Sequence, residues 1–298
     1  MKNNIKIDYD DENNIDEEFI NEEPKKKHII RRIFFGLVLI IALIILYARY
    51  VGTTGLIIKE YSINTSVPKS FDGLKIAHFS DFHYGRTTNI DSLKNLIKEI
   101  NLTKPDIIVF TGDFIDKDVK VNNNDINNIK NELSKLNSTY GKYYVTGNHD
   151  IKNEHYNEIF DYAGFSNIND NYDIIYSKDN EPIMLSGTNY NSDLNYLNDL
   201  FTKELPSYKI NIMHTPDTFD DIKNYNFNLV LAGHSHNGQV DLPFYGAIYT
   251  PKGAKKYYKP YYKINNTDLY ISSGIGTSNY NFRLFNRPSF NLYRLNAK

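Results

Sequence analysis

Five short apolar runs, each passing directly into a cluster of Asp, Asn or His, constrain the fold of this chain more than any other feature. They read LKIAHFS (74–80) into Asp81 and His83, DIIVF (106–110) into Asp113 and Asp116, and KYYVTG (142–147) into Asn148, His149 and Asp150. KINIMH (209–214) ends on His214, and NLVLAG (228–233) leads into His234 and His236. A further run, IMLSG (183–187), carries no such cluster. Segments with helical spacing of apolar residues lie between them at 89–102, 125–136 and 154–164. Strands alternating with helices predict an α/β layered fold. In such folds the carboxyl ends of the strands are where loops converge on a ligand. The asparagine-rich patch NNNDINN beginning at residue 122 reads as a loop with no role.

The chain has no cysteine, so a metal site in it must draw on imidazole, carboxylate and amide donors. Five of its eight histidines fall in the strand-end clusters; His28, His78 and His155 read as juxtamembrane, core-strand and surface positions. Each cluster alone is commonplace. Five of them, each after an apolar strand, form a specific series. The HxH pair His234 and His236 has glycine on both sides, which predicts backbone free to turn and aim each ring.

In this order the clusters resemble the signature of the calcineurin-like metallophosphoesterase family: D-x-H at Asp81/His83, G-D-x-x-D at Gly112–Asp116, G-N-H-[DE] at Gly147–Asp150, a lone His214, and G-H-x-H at Gly233–His236. The likeness spans roughly residues 55–295. GHSHNGQVDLPFYG and GIGTSNYNFRLFNRPSF are similar to a membrane-anchored or exported bacterial phosphodiesterase branch, although Ser289 follows Pro288 where that branch often has Glu. The resemblance implies a four-layer α/β/β/α sandwich and two divalent metal ions. Carried over by position, Asp81, His83 and His236 hold the first ion, Asn148, His214 and His234 the second, and Asp113 bridges them. Such donors suit Mn, Fe, Zn or Co better than Mg. The chemistry implied is phosphoester hydrolysis by a metal-bridging hydroxide. His149 would stabilise the phosphoryl charge and protonate the leaving oxygen, with Asp150 or another nearby carboxylate orienting it. Asp116 would hydrogen-bond a ligand histidine.

Residues 1–24 carry nine acids against Lys2 and Lys6 and few large apolar groups, which predicts disorder. Ile33 to Ala48 then contains no charge, and the apolar span from Ile29 to Val51 is long enough to cross a bilayer core of about 30 Å. Lys25, Lys26, Lys27, Arg31 and Arg32 precede it, whereas Arg49 and Lys59 follow. The apolar run therefore predicts a single-pass cell-membrane protein, and the positive-inside bias predicts a cytoplasmic N-terminus. Its parts are a disordered acidic cytoplasmic tail (1–28), a transmembrane anchor (29–51) and an extracytoplasmic catalytic domain (52–298).

The expected substrate is a phosphodiester, lipid-linked or part of an envelope polymer. The alternatives are a phosphomonoesterase or protein phosphatase, and a noncatalytic envelope-binding module on the same fold. The Lys–Tyr stretch 250–263 reads either as a guide for an anionic substrate or surface, or as a solvated hairpin. Nucleic acid is not an expected partner, because residues 51–298 have nearly balanced charge.

Overall fold

The computed structural model describes residues 25–298, so the acidic stretch 1–24 expected to form a tail lies outside the described residues. Helix α1 (Lys25–Leu46) is apolar around its whole circumference beyond Arg32, and its large apolar side chains from Ile29 to Leu46 are exposed. Among the described residues, Lys27–Val51 is the one helical segment long and apolar enough to cross a membrane. The compact unit that follows runs from Tyr47 to Lys298. It opens with a wider helical turn, Tyr47–Val51, in which Ala48 is buried and its carbonyl accepts the Arg283 N–H at 2.9 Å.

In chain order the unit contains β1 (Ile57–Thr65), β2 (Leu74–Phe79), α2 (Ile90–Thr103), β3 (Ile107–Phe110), α3 (Asn123–Leu133), β4 (Gly141–Tyr144), α4 (Tyr156–Tyr162), β5 (Ser166–Asn167), β6 (Asn171–Tyr176) and β7 (Pro182–Thr188). There follow α5 (Asn195–Leu200), β8 (Lys209–Met213), α6 (Phe219–Ile222), β9 (Leu229–Ala232), the small hairpin β10 (Asp241–Leu242) and β11 (Gly246–Ala247), β12 (Tyr261–Ile264), β13 (Thr267–Ile271) and β14 (Ser289–Ala297). One six-stranded sheet has the order β1-β14-β2-β3-β4-β5, the other β12-β13-β9-β8-β7-β6. The strands β2 to β5 are mutually parallel, as are β13, β9, β8 and β7.

Side chains alternate between two cores. Ile76, Val109, Ile212, Leu231 and Tyr293 fill the space between the sheets. On the opposite face of the first sheet, Phe79, Phe110 and Tyr144 pack under Leu93, Ile129 and Phe160 of α2–α4. On the outer face of the second, Met213, Val230 and Leu269 pack under Leu197 of α5 and Phe219 of α6. The result is the four-layer α/β/β/α sandwich expected from the sequence.

Helix α2 follows directly from its residues: Asn89 caps it by accepting the N–H groups of Asp91 and Ser92, and Leu93, Leu96, Ile97 and Ile100 form one buried stripe. The asparagine-rich patch expected as loop instead starts α3. Asn122 accepts the Asp125 N–H, Asp125 answers with its own carboxylate, and Ile126, Ile129 and Leu133 are buried.

Candidate metal centre

The clusters at the ends of β2, β3 and β4 in one sheet meet those at the ends of β8 and β9 in the other. The backbone reaches this meeting point in an unusual conformation. Asp81, His83, Asp113, His234 and His236 all have positive φ, between 50° and 64°. Left-handed backbone is uncommon for residues with a Cβ and collects at functional sites. The histidines themselves turn the chain, so the flanking Gly233 contributes space rather than rotation: a Cβ there would collide with Ser80 and come within 2.7 Å of Asp81 Oδ2. Gly112 (φ 92°) lets its loop press against Gly147, whose backbone nitrogen would lie 2.5 Å from an added Cβ.

Asp113 is central. Its Oδ2 lies 3.4 Å from His214 Nε2, 3.8 Å from His83 Nε2 and 3.9 Å from His149 Nε2, while Oδ1 accepts the His149 N–H at 2.8 Å. On one side His83 Nε2 and His236 Nε2 face each other at 3.2 Å, with Asp81 Oδ1 3.5 Å from the latter. On the other side His214 Nε2 lies 3.0 Å from Asn148 Oδ1, and the His214 and His234 rings are 4.7 Å apart. Three sets of candidate ligand atoms result, each within 4.8 Å of one another: Asp81, His83 and His236; His83, Asp113 and His149; Asp113, His214 and His234.

Residues 74–238 match the calcineurin-like phosphoesterase family. The chain belongs to that family. The metallophosphoesterase YkuE of Bacillus subtilis is 33% identical over 263 residues, covering 84% of this chain and 89% of that one. Phosphodiesterase YaeI of Escherichia coli is 26% identical, covering 74% and 82%. The UDP-2,3-diacylglucosamine pyrophosphatase LpxG of Chlamydia muridarum is 27% identical, covering 63% and 72%. The protein is thus a metallophosphoesterase, a hydrolase of phosphoester bonds, from a dimetal-dependent family.

The side chains of this phosphoesterase suit cations. His214 donates Nδ1–H to the Thr111 carbonyl at 2.7 Å and His234 donates Nε2–H to the Lys252 carbonyl at 2.8 Å, which leaves the second nitrogen of each ring free to bind. His83 Nδ1 faces Asp116 Oδ2 at 3.4 Å, an arrangement that leaves Nε2 directed at His236. Two nitrogens bound at about 2.1 Å to one tetrahedral ion stand roughly 3.4 Å apart, close to the separation of these two.

The charge balance points the same way. Burial opposes a charge on His214, yet the Asp113 carboxylate outweighs it and raises this imidazole to about 9. That corner, with Asn148 Oδ1 and Asp113 Oδ2 beside Nε2, therefore favours a positive charge. Burial lowers His234 to about 4, with His214 adding to the effect. Burial works against ionised Asp113 too, but the surrounding His214, His149 and His83 hold it well below the usual carboxylate range. The donor set fits divalent ions.

His149 and Asp150 sit differently from one another. His149 lies in the wall of the cleft, where its Nδ1 accepts the Lys117 N–H at 3.1 Å. The carboxylate nearest that nitrogen is Asp116, at 3.8 Å. Asp150 is buried, and its oxygens accept the backbone N–H groups of Asp113 (2.6 Å), Gly147 (2.9 Å) and Phe114 (2.9 Å). It ties the β3 loop to the β4 loop. Burial, then the charge of Asp113, push it up to about 7.

Arg283 has no role in the sequence reading. It is fully buried with no carboxylate hydrogen-bonded to it among the described residues. Its guanidinium donates to the carbonyls of Ser273 (2.8 Å), Gly274 (3.1 Å), Gly276 (2.5 Å) and Asn286 (3.2 Å) and lies 3.3 Å from His236 Nδ1. It gathers one loop behind His236. An arginine inside the quoted NFRLFNRP segment is its one trace in the sequence.

The Lys–Tyr stretch 250–263 is largely built into the fold. Lys256 pairs with Asp220 and Lys263 with Asp268, Tyr257 is buried, and Asp217 accepts the N–H groups of Lys255, Lys256 and Tyr257. A cleft of about 500 Å³ opens over Asp113, Asn148, His149, His234 and His236. Its outer wall includes Val240, Ile248, Tyr249, Tyr280 and Phe282.

Proposed function

We propose that this phosphoesterase is a phosphodiesterase acting on a lipid-linked or cell-envelope phosphoester from a single-pass membrane anchor. Asp81, His83 and His236 hold one divalent ion, Asn148, His214 and His234 hold a second, and Asp113 lies between them. The observation that carries this reading is Asp113 Oδ2, within 4 Å of imidazole nitrogens from three separate loops. When bound, Mn, Fe, Zn or Co would polarise the phosphoryl oxygens and supply a nucleophile at neutral pH.

The chain's own groups perform the remaining work. His149 presents Nε2–H to the cleft, because the Lys117 N–H occupies Nδ1. Burial pushes its imidazole below the ordinary range, which keeps it neutral. Its main role in this reading is therefore to donate a hydrogen bond to the developing charge on phosphate or leaving oxygen, with proton transfer secondary. Asp116 faces His83 Nδ1 at 3.4 Å and positions that ring, while the Lys117 N–H, given to Nδ1, positions the ring of His149. Asp150 positions Asp113 and Asn148 by holding their loops together. The apolar outer wall suits a substrate with an apolar substituent, and the relative named for a diacylated sugar nucleotide supports a lipid-linked one.

The parts of the chain in this reading are a cytoplasmic tail (1–28), an anchor (29–51) and an extracytoplasmic domain (52–298). The test uses the full chain in detergent, stripped of metal and reloaded with Mn or Zn, against bis-aryl and mono-aryl phosphates. Preferential turnover of the diester, lost in Asp113→Ala together with bound metal, is the expected result. A stripped sample that retains full turnover refutes the metal assignment; preference for the monoester favours a phosphomonoesterase.

A further inference from the structure

Phe244 at the tip of the β10–β11 hairpin is fully exposed, and Tyr245 is 78% exposed. Ile248, Tyr249, Tyr280 and Phe285 are also exposed. These six side chains belong to neighbouring segments. Val240, just before β10, bridges to Leu284, and the Asp241 N–H donates to the Leu284 carbonyl, which sets Phe285 beside the hairpin. Ile248, Tyr249 and Tyr280 form part of the cleft wall. A contiguous apolar patch on the rim of an active-site cleft is a surface awaiting a partner.

Two observations identify the partner. The first is the Arg283 N–H bond to the Ala48 carbonyl, which ties the Arg283–Phe285 segment to Tyr47–Val51, the end of the apolar span. Tyr47, Tyr50 and Val51 are themselves exposed within the compact unit. The segment that carries Phe285 is thus bonded to the one that carries these exposed residues at the end of the span. The second is composition. Lys255 Nζ lies 5.1 Å over the Tyr249 ring and Lys117 lies in the cleft wall, whereas Asp217 and Asp220 nearby are engaged by backbone N–H groups and by Lys256. Tyrosine and lysine around exposed apolar side chains are suited to the headgroup region of an anionic bilayer.

We propose that the β10–β11 hairpin, together with Tyr249, Tyr280 and Phe285, docks in the interface of an anionic phospholipid bilayer, so that the cleft opens at the membrane surface. This rests on the reading of Lys27–Val51 as a membrane span, and it explains how the site would receive a phosphoester that never leaves the lipid phase.

The chain contains no tryptophan, so one introduced indole is a clean probe. The full chain carrying Phe244→Trp, Phe285→Trp or, as a control, Tyr176→Trp on the edge strand β6 is reconstituted into vesicles of phosphatidylcholine and phosphatidylglycerol. Some of the lipid is brominated on its acyl chains. Blue-shifted emission quenched severalfold more at the Phe244→Trp and Phe285→Trp positions than at Tyr176→Trp supports docking. Equal quenching at all three in chains that co-float with the vesicles overturns it while leaving the anchor intact. A blue shift that appears without lipid and grows with protein concentration overturns it in favour of a second copy. Failure to co-float overturns the membrane reading and this proposal together. Phosphodiester turnover, assayed separately, reports on the catalytic reading alone.

Discussion

Removing the Asp150 carboxylate separates two accounts of the catalytic loops. In one, Asp150 orients His149; in the other, it clamps backbone. Its two oxygens satisfy three buried N–H groups, those of Asp113, Gly147 and Phe114. A buried donor left without a partner costs about 1–3 kcal/mol, so a dry Asp150→Ala site would lose roughly 3–9 kcal/mol. Asp150 also lines a cavity of about 250 Å³ with Thr146, Asn153 and Asn157. Water entering from there can take over part of the acceptor role, which brings the expected loss down to about 3–4 kcal/mol. Asp150→Asn keeps one acceptor oxygen but turns an NH₂ group toward the third donor, and should lose ~1–3 kcal/mol. Denaturant unfolding of the full chain in detergent measures both values, and metal content is read on the same samples. Stability and metal retention should fall together, in the order wild type, Asn, Ala. The clamp account fails if Asp150→Ala stays within about 0.5 kcal/mol of wild type. It fails most clearly if that variant instead acquires the pH profile of a His149 variant.

His149 and Lys59 give two further tests. An amide N–H can replace the imidazole Nε2–H as a hydrogen-bond donor but cannot transfer a proton, so His149→Gln should retain far more turnover than His149→Ala. The alanine variant should lose ~10²–10³ in kcat with its metal content unchanged; equal losses in the two would establish proton transfer as the principal role. Burial, then the charge of Arg283, lowers Lys59 on β1 to about 8 from 10.5. A depressed folded-state value means that the charged amine destabilises the fold at neutral pH, and that this penalty disappears as pH rises from 8 through 10.5. Lys59→Met should therefore melt higher than wild type at pH 7, with the gap closing toward pH 10.5. A gap that is constant with pH would assign the effect to packing.

The sequence signal was strongest where burial is two-sided. The parallel strands β2, β3, β8 and β9 are covered on both faces, so they read as mainly apolar runs, unbroken in β3 and β9 and interrupted inside β2 by Lys75 and His78 and inside β8 by Asn211, and their ends lie within a residue or so of the expected ones. Strands β1, β6 and β12 are at or near sheet edges and half exposed. Their charged and tyrosine-rich residues, such as YYKI of β12, carry no such signature. Strand β14 was hidden for another reason: it enters between β1 and β2 from the far end of the chain, a pairing that no local pattern encodes. In the site, motif order alone pointed to the side chains that the fold gathers as candidate donors. The Asp150 clamp, the Lys252 carbonyl behind His234 and most of the Arg283 bonds behind His236 act through backbone atoms, which leave no residue-type pattern to read.

Those hidden supports answer a physical difficulty the motifs create. Five residues held in left-handed backbone cost about 1–2 kcal/mol each, a strain comparable to the net stability of many domains. The strain persists because the loops are tied to one another across both sheets. The Asp81 N–H donates to the Gly112 carbonyl at 2.9 Å and the His83 N–H to the Asp113 carbonyl at 3.1 Å. The Asp81 carboxylate in turn accepts the His234 N–H at 3.0 Å, joining an end of the first sheet to an end of the second. Each tie runs from one strained residue to the loop of another, so relaxing one turn would break bonds in its neighbour. The candidate donors are consequently assembled by folding itself, and little loop ordering would be left for cation binding to drive. In the proposed metal site, binding energy would then go to the cation instead of to loop closure, as expected where rigid donors face a reacting phosphoryl group.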